Sequence, residues 1–596
     1  MWLPSAGILA EVERGTPRAQ SLFIGQLWHE LLSSQSPDSF RARLLDVRLL
    51  VEELARVIEL AASESKWSSH VTAICDEIRS GLPPIEQMHL LPAVAQAALR
   101  SICDFRSHPY DLRRMREHCR LYLDLTESEV TQLLGAAEAE ALNFRKKSGL
   151  VNALARLATH MQSRGLAEDS IALVDDSLCD LAPDQAIQRL ASSFEATREY
   201  SCYVALRGTR ATASSVFSID EFPEYGAADF VNSATSSAWY EEEHPTFTTG
   251  VTLETTSGRR AAEEALACVV TLINLHALYA NGSQLEASPR VLVVQGGGAP
   301  QVIEVTPSRH FGLAPRRQSA TLARSRFKRL KGRLSGRLSN LLESHALGVA
   351  ATDARTAVIH LWSALETLTS RTDATGIGER VANAVCPIVA WRRTDKIVTY
   401  LAISTVRLCR HIEQDFDRTH LPASRANHLD RVDMLAALSG VRNNTAILSL
   451  FESCKASPLL CYRLYKAWQG LSDARELLRA LELSKNRIRW QILRLYRARN
   501  LLVHYGQIDE LALRLLENAQ YYLSTCVSRV LSDLSAHQEW SIETSLEYQR
   551  QRFEGLCEML RSHPQDATMS DVLLVTDNGN SSTKLWGDGS RFPTPN

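Results

Sequence analysis

The sequence predicts a mainly α protein that contains one small α+β module, and three observations lead to this fold class. Apolar residues recur at steps of three and four over long stretches, as in SFRARLLDVRLLVEELARVIELAAS from Ser39, which is the period of an α-helix. Residues 199–307 are instead rich in β-branched and aromatic residues separated by Gly, Pro and acidic residues, which is typical of strands and turns. The length of 596 residues exceeds what one hydrophobic core usually supports, so several domains are expected.

The domain boundaries follow these changes of pattern. We predict a helical N-terminal domain of unassigned role, a small α+β middle module, a basic linker or helix, a C-terminal helical bundle and a flexible tail, over residues 1–198, 199–307, 308–339, 340–563 and 564–596. The tail is assigned because its sequence is polar and rich in Gly, Ser and Asn.

The middle module is predicted to combine strands with one long helix. Strands are expected in EYSCYVALRG, TASSVFSID and FTTGVTLETT, and Ser257 precedes the helical pattern GRRAAEEALACVVTLINLHALYA. Two further strands are expected in RVLVVQGGGAPQVIEV, around a glycine turn. The run from Gln295 to Pro300 lacks the lysine and the following helix of a phosphate-binding loop, so a hairpin turn is the favoured interpretation.

Composition narrows the class of protein. Apolar residues make up 45% and charged residues 22% of the chain, as in ordinary globular proteins. There is no run of 18 or more apolar residues and the N-terminal sequence has no basic region, so we expect neither a membrane span nor a signal peptide. The twelve cysteines are scattered singly without a C-x-x-C pair, which predicts free thiols, a cytoplasmic location, and neither a metal site nor a cofactor.

The segment YRARNLLVHYG, residues 496–506, combines buried-helix character with three polar groups that packing alone does not require. On an α-helix Asn500 and His504 lie on one face, whereas Arg499 and His504 lie about 140° apart. A site shared between two packed helices or two protomers would fit this geometry better than one helix alone. Gly506 predicts that the helix ends or bends at this point.

These residue types are sufficient for cleavage of RNA without a metal. A base must take the proton of the ribose 2′-OH and an acid must protonate the leaving 5′ oxygen, and histidine can do both because it titrates near neutral pH. A cation must also stabilise the charge that develops on the phosphate, and arginine presents a fixed fork of donors to phosphate oxygens. The residues of the segment are therefore sufficient in type for a metal-independent RNA-cleaving site.

Spacing alone does not establish this site, because the pattern R-x-x-x-x-H occurs three times. The other two matches run from Arg113 to His118 and from Arg355 to His360. Most such matches are solvated helix faces, and a histidine near a helix C-terminus can simply interact with the helix dipole. The match at 499–504 differs because an asparagine follows the arginine and Tyr496 precedes it by three residues.

That context resembles the HEPN superfamily, many of whose helical domains are ribonucleases, and in particular its Apea-like branch with the form Y-x-x-R-N-x-x-x-H-x-G. A second stretch, HLWSALETLTS from His360, is similar to the W-x-A-L-E-x-L helix that opens such domains. The two matches are further apart than in a minimal HEPN domain, which implies insertions near residues 385–455. The resemblance covers about residues 340–540 and implies a helical bundle with metal-independent endoribonuclease activity.

The resemblance also implies roles for single residues. Arg499 and His504 match the catalytic pair, Asn500 the accompanying polar position and Glu366 the acidic position of the opening helix. Glu366 has two other interpretations, as an exposed helix residue or as a structural ion-pair partner of Arg499. The tyrosine that one toxin subgroup carries two residues after the histidine is replaced by Gly506, so the mechanism of that subgroup is not implied.

A basic segment precedes the HEPN-like region. From Val305 to Leu342 there are ten Lys or Arg residues and no acidic residue. One interpretation is a solvated helix face, and the other is a strip that binds RNA phosphates with salt-sensitive affinity. The residues that would contact RNA are Arg324, Arg326, Lys328, Arg329, Lys331 and Arg333.

The resemblance to the HEPN superfamily implies an endoribonuclease that acts as a toxin or antiviral effector on cellular RNA, with tRNA as one candidate substrate. Its expected partners are RNA, a second copy in a homodimer or higher even assembly, and a regulatory or trigger protein sensed by the N-terminal half. The alternatives are a non-catalytic HEPN scaffold or interaction protein, and a nucleotide-binding protein or nucleotidyltransferase partner. The intact Arg and His pair favours the nuclease, because a purely structural role does not require both.

Overall fold

The predicted fold class is confirmed by a computed structural model, which is mainly α with one small antiparallel sheet. The structure describes residues 2–10, 15–33, 46–81, 92–104, 111–126, 129–142, 147–194, 197–217, 222–279, 285–296, 298–305, 330, 336–351, 354–369, 376–412, 434–435, 437–438, 445–506 and 515–562. The six basic residues of the predicted RNA-binding strip and the predicted tail 564–596 lie outside these ranges.

The N-terminal part consists of helices that form two packed groups. The helices are α1 Ala6–Ala10, α2 Pro17–Leu32, α3 Val47–Ser63, α4 Ser68–Gly81, α5 Ala93–Cys103, α6 Asp111–Leu125, α7 Glu129–Leu142, α8 Lys147–Ser163, α9 Ala167–Ala172 and α10 Pro183–Ala191. Helices α3 to α6 bury one hydrophobic core, which we call the N-terminal core, and α2 packs with α7, α8 and α10 around another.

A buried contact between an aspartate and a histidine joins these two groups. Asp46 caps the N-terminus of α3 by accepting a hydrogen bond from the Leu49 N–H at 3.1 Å. Its other carboxylate oxygen lies 2.6 Å from His160 Nε2 on α8. Burial acts to raise the pKa of Asp46, but the charge of His160 and its hydrogen bond outweigh this effect and hold that pKa below its usual value. A carboxylate satisfied on both sides can stay ionised inside the protein.

The middle module is a five-stranded antiparallel sheet with the strand order β2-β3-β1-β4-β5. Its elements are β1 Arg198–Arg207, α11 Arg210–Phe217, β2 Glu224–Tyr225, α12 Ala234–Glu243, β3 Phe247–Thr255, α13 Gly258–Tyr279, β4 Glu286–Gln295 and β5 Gln301–Glu304. Residues such as Cys202 and Val204 on one face of β1 pack against Ala265 and Val269 of α13. The predicted strands at EYSCYVALRG, FTTGVTLETT and RVLVVQGGGAPQVIEV are confirmed, as is the long helix.

One predicted strand in this module is wrong. TASSVFSID was expected to be extended because of its β-branched residues, but the structure has helix α11 over Arg210–Phe217. The hydroxyl of Thr209 accepts a hydrogen bond from the Thr212 N–H at 3.3 Å, as helix-capping threonines do. A local cap therefore outweighs the weak strand propensity of this stretch.

The C-terminal part is a helical bundle around the largest hydrophobic core, which we call the C-terminal core. Its helices are α14 Arg337–Ala350, α15 Ala354–Thr367, α16 Ile377–His411, α17 Thr445–Ser453, α18 Pro458–Ser472, α19 Ala474–Tyr505, α20 Leu516–Ala536 and α21 Ile542–Ser562. Within the described ranges, none of the helices is both long and apolar enough to cross a membrane.

The first residues of the chain pack against this C-terminal bundle. Trp2 lies against the C-terminal core, and the carbonyl of Pro4 accepts a hydrogen bond from His411 Nε2 at 2.7 Å. Glu30 on α2, almost fully buried, pairs with Arg463 on α18 at 3.1 Å. The first and last thirds of the chain are therefore joined through buried polar contacts as well as apolar ones.

Candidate active site

The segment YRARNLLVHYG forms the last turns of helix α19 and the glycine that caps it. We call the whole of α19, Ala474–Tyr505, the motif helix. Asp473 begins this helix by accepting hydrogen bonds from the N–H groups of Arg475 and Glu476 at 2.8 and 3.3 Å. Gly506 ends it in the left-handed region, with φ of 66°, and its N–H donates to the Leu502 carbonyl. A glycine reaches this conformation without steric cost, so the predicted helix end at Gly506 is confirmed.

The three polar residues of the motif lie at an accessible helix end. Arg499 is half-buried and donates from Nη1 to Asn500 Oδ1 at 3.1 Å. His504 is exposed. The helix is unbroken through Tyr505, so Arg499 and His504 diverge by about 140° around its axis. Among the described residues, no hydrogen bond or ion pair joins these two side chains.

Glu366 lies near the C-terminal end of α15 and is half-buried. Helix α15 packs against the motif helix, where the rings of Trp362 and Tyr496 have centroids 5.2 Å apart. The hydrogen bonds and ion pairs of the described residues do not link Glu366 to Arg499, so the alternative of a structural pair between them is not realised in this conformation. Glu366 and Arg499 therefore lie on neighbouring helices, and among the described residues no hydrogen bond or ion pair joins them.

The direction of the helix limits what the site can bind. A helix C-terminus carries partial negative charge from its last carbonyl groups, which attracts cations and repels phosphate. Any phosphate near His504 must therefore be held by side chains such as Arg499 and not by backbone N–H groups. An arginine can supply the positive charge that holds a phosphate, and a histidine can transfer a proton, so the two residue types at this helix end meet this requirement.

A buried charge lattice holds the motif helix against the N-terminal helices α3 and α4. Arg494 donates to Glu53 at 2.9 Å and to Glu77 at 2.7 Å. Arg497 donates from Nε to the second oxygen of Glu53 at 3.0 Å. All four side chains, two guanidinium and two carboxyl groups, are at least 95% buried. We call Glu53, Glu77, Arg494 and Arg497 the charge lattice.

The pKa values of the two carboxyl groups in the lattice are shifted in opposite directions. Burial acts to raise the pKa of Glu53, but the charges of Arg494 and Arg497 outweigh it and lower that pKa to about 2. Burial raises the pKa of Glu77 above its usual value, since Glu77 pairs with Arg494 alone and lies near the Glu53 carboxylate. Glu53 is therefore the better stabilised anion of the two.

The same face of the motif helix continues to its end. Leu501 packs against the N-terminal core, and the Tyr505 hydroxyl donates to Glu64, at the C-terminus of α3. Residues 494, 497, 501 and 505 recur at helical spacing and thus form one stripe. His70, whose pKa is lowered to about 3 by burial and by the charge of Arg497, lies beside Tyr496. The N-terminal helices thus follow the motif helix as far as its last turn.

The partners of this lattice were not predicted from the sequence. Glu53 lies at helical spacing from Leu50 and Val57, both buried, so it occupies the apolar face of α3. A charged residue on a buried face requires a partner, and this was the signal that could have identified Glu53. Glu77 is buried in α4 in the same way. Which cations pair with them does not follow from local sequence.

The remaining site predictions have mixed outcomes. All twelve cysteines are free, ten of them buried, which confirms the predicted thiols. In the described part of the chain, no cluster of three or more His, Cys, Asp or Glu side chains could hold a metal ion. The basic residues 324 to 333 proposed to bind RNA stay a prediction. Comparison with family models, with curated proteins and with solved structures finds no match to this chain.

Proposed function

We propose that this protein is a metal-independent HEPN endoribonuclease in which Arg499 and His504 carry the chemistry. The observation that supports the proposal most is the accessible end of the motif helix, where an exposed His504 follows an Arg499 already oriented by Asn500. His504 is the group that transfers protons at the ribose 2′-OH or the 5′ oxygen, and Arg499 stabilises the phosphate. The function as a toxin or antiviral effector on cellular RNA belongs to the same proposal.

The divergence of Arg499 and His504 supports a homodimer as the active form. Cleavage needs two opposite proton transfers, one on each side of the phosphate, and one histidine does not serve both positions at once. Two motif helices facing each other about a two-fold axis would place the Arg499 of one copy near the His504 of the other. Val503 is about half exposed on the outer side of the helix, away from the N-terminal helices, and would lie in such an interface.

The test compares purified wild-type protein with Arg499→Ala and His504→Ala. Each substitution is expected to abolish RNA cleavage, because loss of a proton-transfer group or of phosphate stabilisation costs about 100-fold or more in rate. Circular dichroism establishes that the variants are folded. Cleavage should persist in EDTA and leave a 2′,3′-cyclic phosphate and a 5′-OH. Full cleavage by both folded variants, or activity lost in EDTA and restored by magnesium, would reject the proposal.

A non-catalytic scaffold is the second candidate, and one observation favours it. Within the described residues His504 has no hydrogen-bond partner that fixes its ring, whereas proton-transfer histidines are commonly oriented by a second group. The scaffold predicts no cleavage by wild-type protein and no growth defect on expression. Growth arrest that Arg499→Ala relieves would decide for the nuclease.

A further inference from the structure

The motif residues lie beyond the core of the domain to which they belong in sequence. The apolar residues that the motif helix contributes to the C-terminal core end at Leu495, with Tyr496 at its edge. In residues 497–505 Leu501 packs against the N-terminal core, and Ala498 is also buried. The last turns of the motif helix are therefore supported by the N-terminal helices, beyond the point where its contribution to the C-terminal core ends.

The support is specific as well as close. Breaking a buried ion pair by removing one partner leaves an uncompensated charge in a low-dielectric interior, which is strongly unfavourable. Arg494 is fully buried and Arg497 nearly so, and both depend on Glu53. In the observed register Glu53 lies between the two arginines, and a shift of the N-terminal helices along the motif helix would break these buried pairs.

The docked helices do not cover the proposed reactive groups. His504 is exposed, and Arg499 lies about 160° around the helix from Leu501, on the side away from the N-terminal core. A contact that inhibited the site by blocking it would bury at least one of them. The arrangement instead stiffens the helix while leaving its other side accessible.

We propose that Glu53 and Glu64 are positioning residues of the active site, so that the N-terminal helices are a splint for the turns that carry Arg499 and His504. Glu53 acts through Arg494 and Arg497, and Glu64 acts through Tyr505. An unsupported helix end frays, and a displacement of about 1 Å in catalytic groups can cost about 100-fold in rate. The catalytic part of this inference rests on the proposed function, whereas the mechanical part does not.

Hydrogen exchange of the full-length protein tests the mechanical part. In Glu53→Gln, amides of residues 499–505 should exchange about tenfold faster or more, because local opening no longer has to break the lattice. The matched control is Glu30→Gln, which removes an equally buried carboxylate from an ion pair with α18. It should leave exchange at 499–505 unchanged. Unchanged exchange at 499–505 in folded Glu53→Gln would overturn the inference.

Kinetics tests the catalytic part. Glu53→Gln should lower kcat by about tenfold or more with little change in KM, because the substrate still binds while the reactive groups are misplaced. Glu53→Asp, which keeps the charge, should recover part of the loss. If exchange rises in Glu53→Gln while kcat stays at the wild-type value, the positioning role is rejected. If wild-type protein cleaves no RNA, the proposed function fails and the exchange result still decides whether the splint exists.

A second variant keeps the test independent of global folding. If Glu53→Gln does not fold, Leu501→Ala removes the apolar contact with the N-terminal core and leaves the lattice intact. It should also speed exchange at 499–505 selectively over residues 477–495. If the exchange rates at residues 499–505 are the same in Leu501→Ala as in wild type, or rise no more than those at residues 477–495, the result would count against the splint.

Discussion

The two ends of the motif helix are held by different forces. Residues 474–495 pack into the C-terminal core through side chains such as Leu477, Ile488 and Ile492. From Arg494 onward the helix is also held by the charge lattice, by Leu501 and by the hydrogen bond from Tyr505 to Glu64. Apolar burial is non-directional and scales with area, whereas a buried ion pair needs one geometry.

This difference between the two parts of the motif helix indicates why a residue of the candidate site can lie beyond the hydrophobic core of the bundle that contains it. A tightly packed core fixes a helix but also surrounds it, which leaves little space for a substrate. A helix end that extends past the core is accessible, but it has to be positioned by other contacts. In this chain such contacts include those from α3 and α4, more than 400 residues earlier in the sequence.

The largest effect on stability is expected from the core end of the helix. Ile492→Ala should lower the free energy of unfolding by about 2–5 kcal/mol, because Ile492 is fully buried and leaves a cavity. Leu501→Ala, at a half-buried position, should cost less, about 1 kcal/mol, from its smaller loss of buried apolar area. Chemical denaturation of both variants measures the two losses. A larger loss in Leu501→Ala would reverse the comparison.

An intermediate effect is expected from Glu77, and it depends on pH. The raised folded pKa of Glu77 means that its contribution to stability is present below its unfolded pKa of 4.5 and is lost as pH rises through the folded value. Glu53, with its pKa lowered to about 2, contributes above 4.5 and loses that contribution only as pH falls through about 2. The two carboxylates of one lattice thus respond oppositely to acid.

The measurement is the free energy of unfolding of wild type minus that of Glu77→Gln, at pH 7 and at pH 5. This difference should increase as the pH falls, because wild-type protein gains the Glu77 contribution and the variant does not. Ionisable groups common to both proteins cancel in the subtraction. A difference that decreases on acidification would show that Glu77 is stabilised as an anion, like Glu53.

The smallest effect is expected from Tyr505→Phe, which removes one partly exposed hydrogen bond to Glu64. The loss of global stability should be about 0.5–1 kcal/mol or less. Tyr548→Phe is the matched control, because Tyr505 and Tyr548 are both 40% exposed. Exchange at residues 503–505 should rise in Tyr505→Phe and stay constant in the control. An equal response in both would remove Glu64 from the splint.

What the sequence could predict differs along the same helix. The apolar period of CYRLYKAWQGLSDARELLRALEL and the glycine after YRARNLLVHY were sufficient to predict a helix ending at residue 505 or 506. The partners of Arg494 and Arg497 could not be predicted, because the pairing depends on how two distant helical groups dock. The helix at 210–217 was missed for a local reason, since a threonine cap outweighed strand propensity.

The ion pair between Glu30 and Arg463 can form only after both residues have been synthesised, which fixes a minimum delay during translation. The two residues are 433 positions apart, so at ordinary elongation rates roughly 20 to 90 s separate their synthesis. Throughout that interval the buried face of α2 has no C-terminal partner, and neither Glu30 nor the apolar surface of Trp2 can reach its final environment. The N-terminal segment therefore completes its folding late, after most of the chain has been made, and is exposed to chaperones until then.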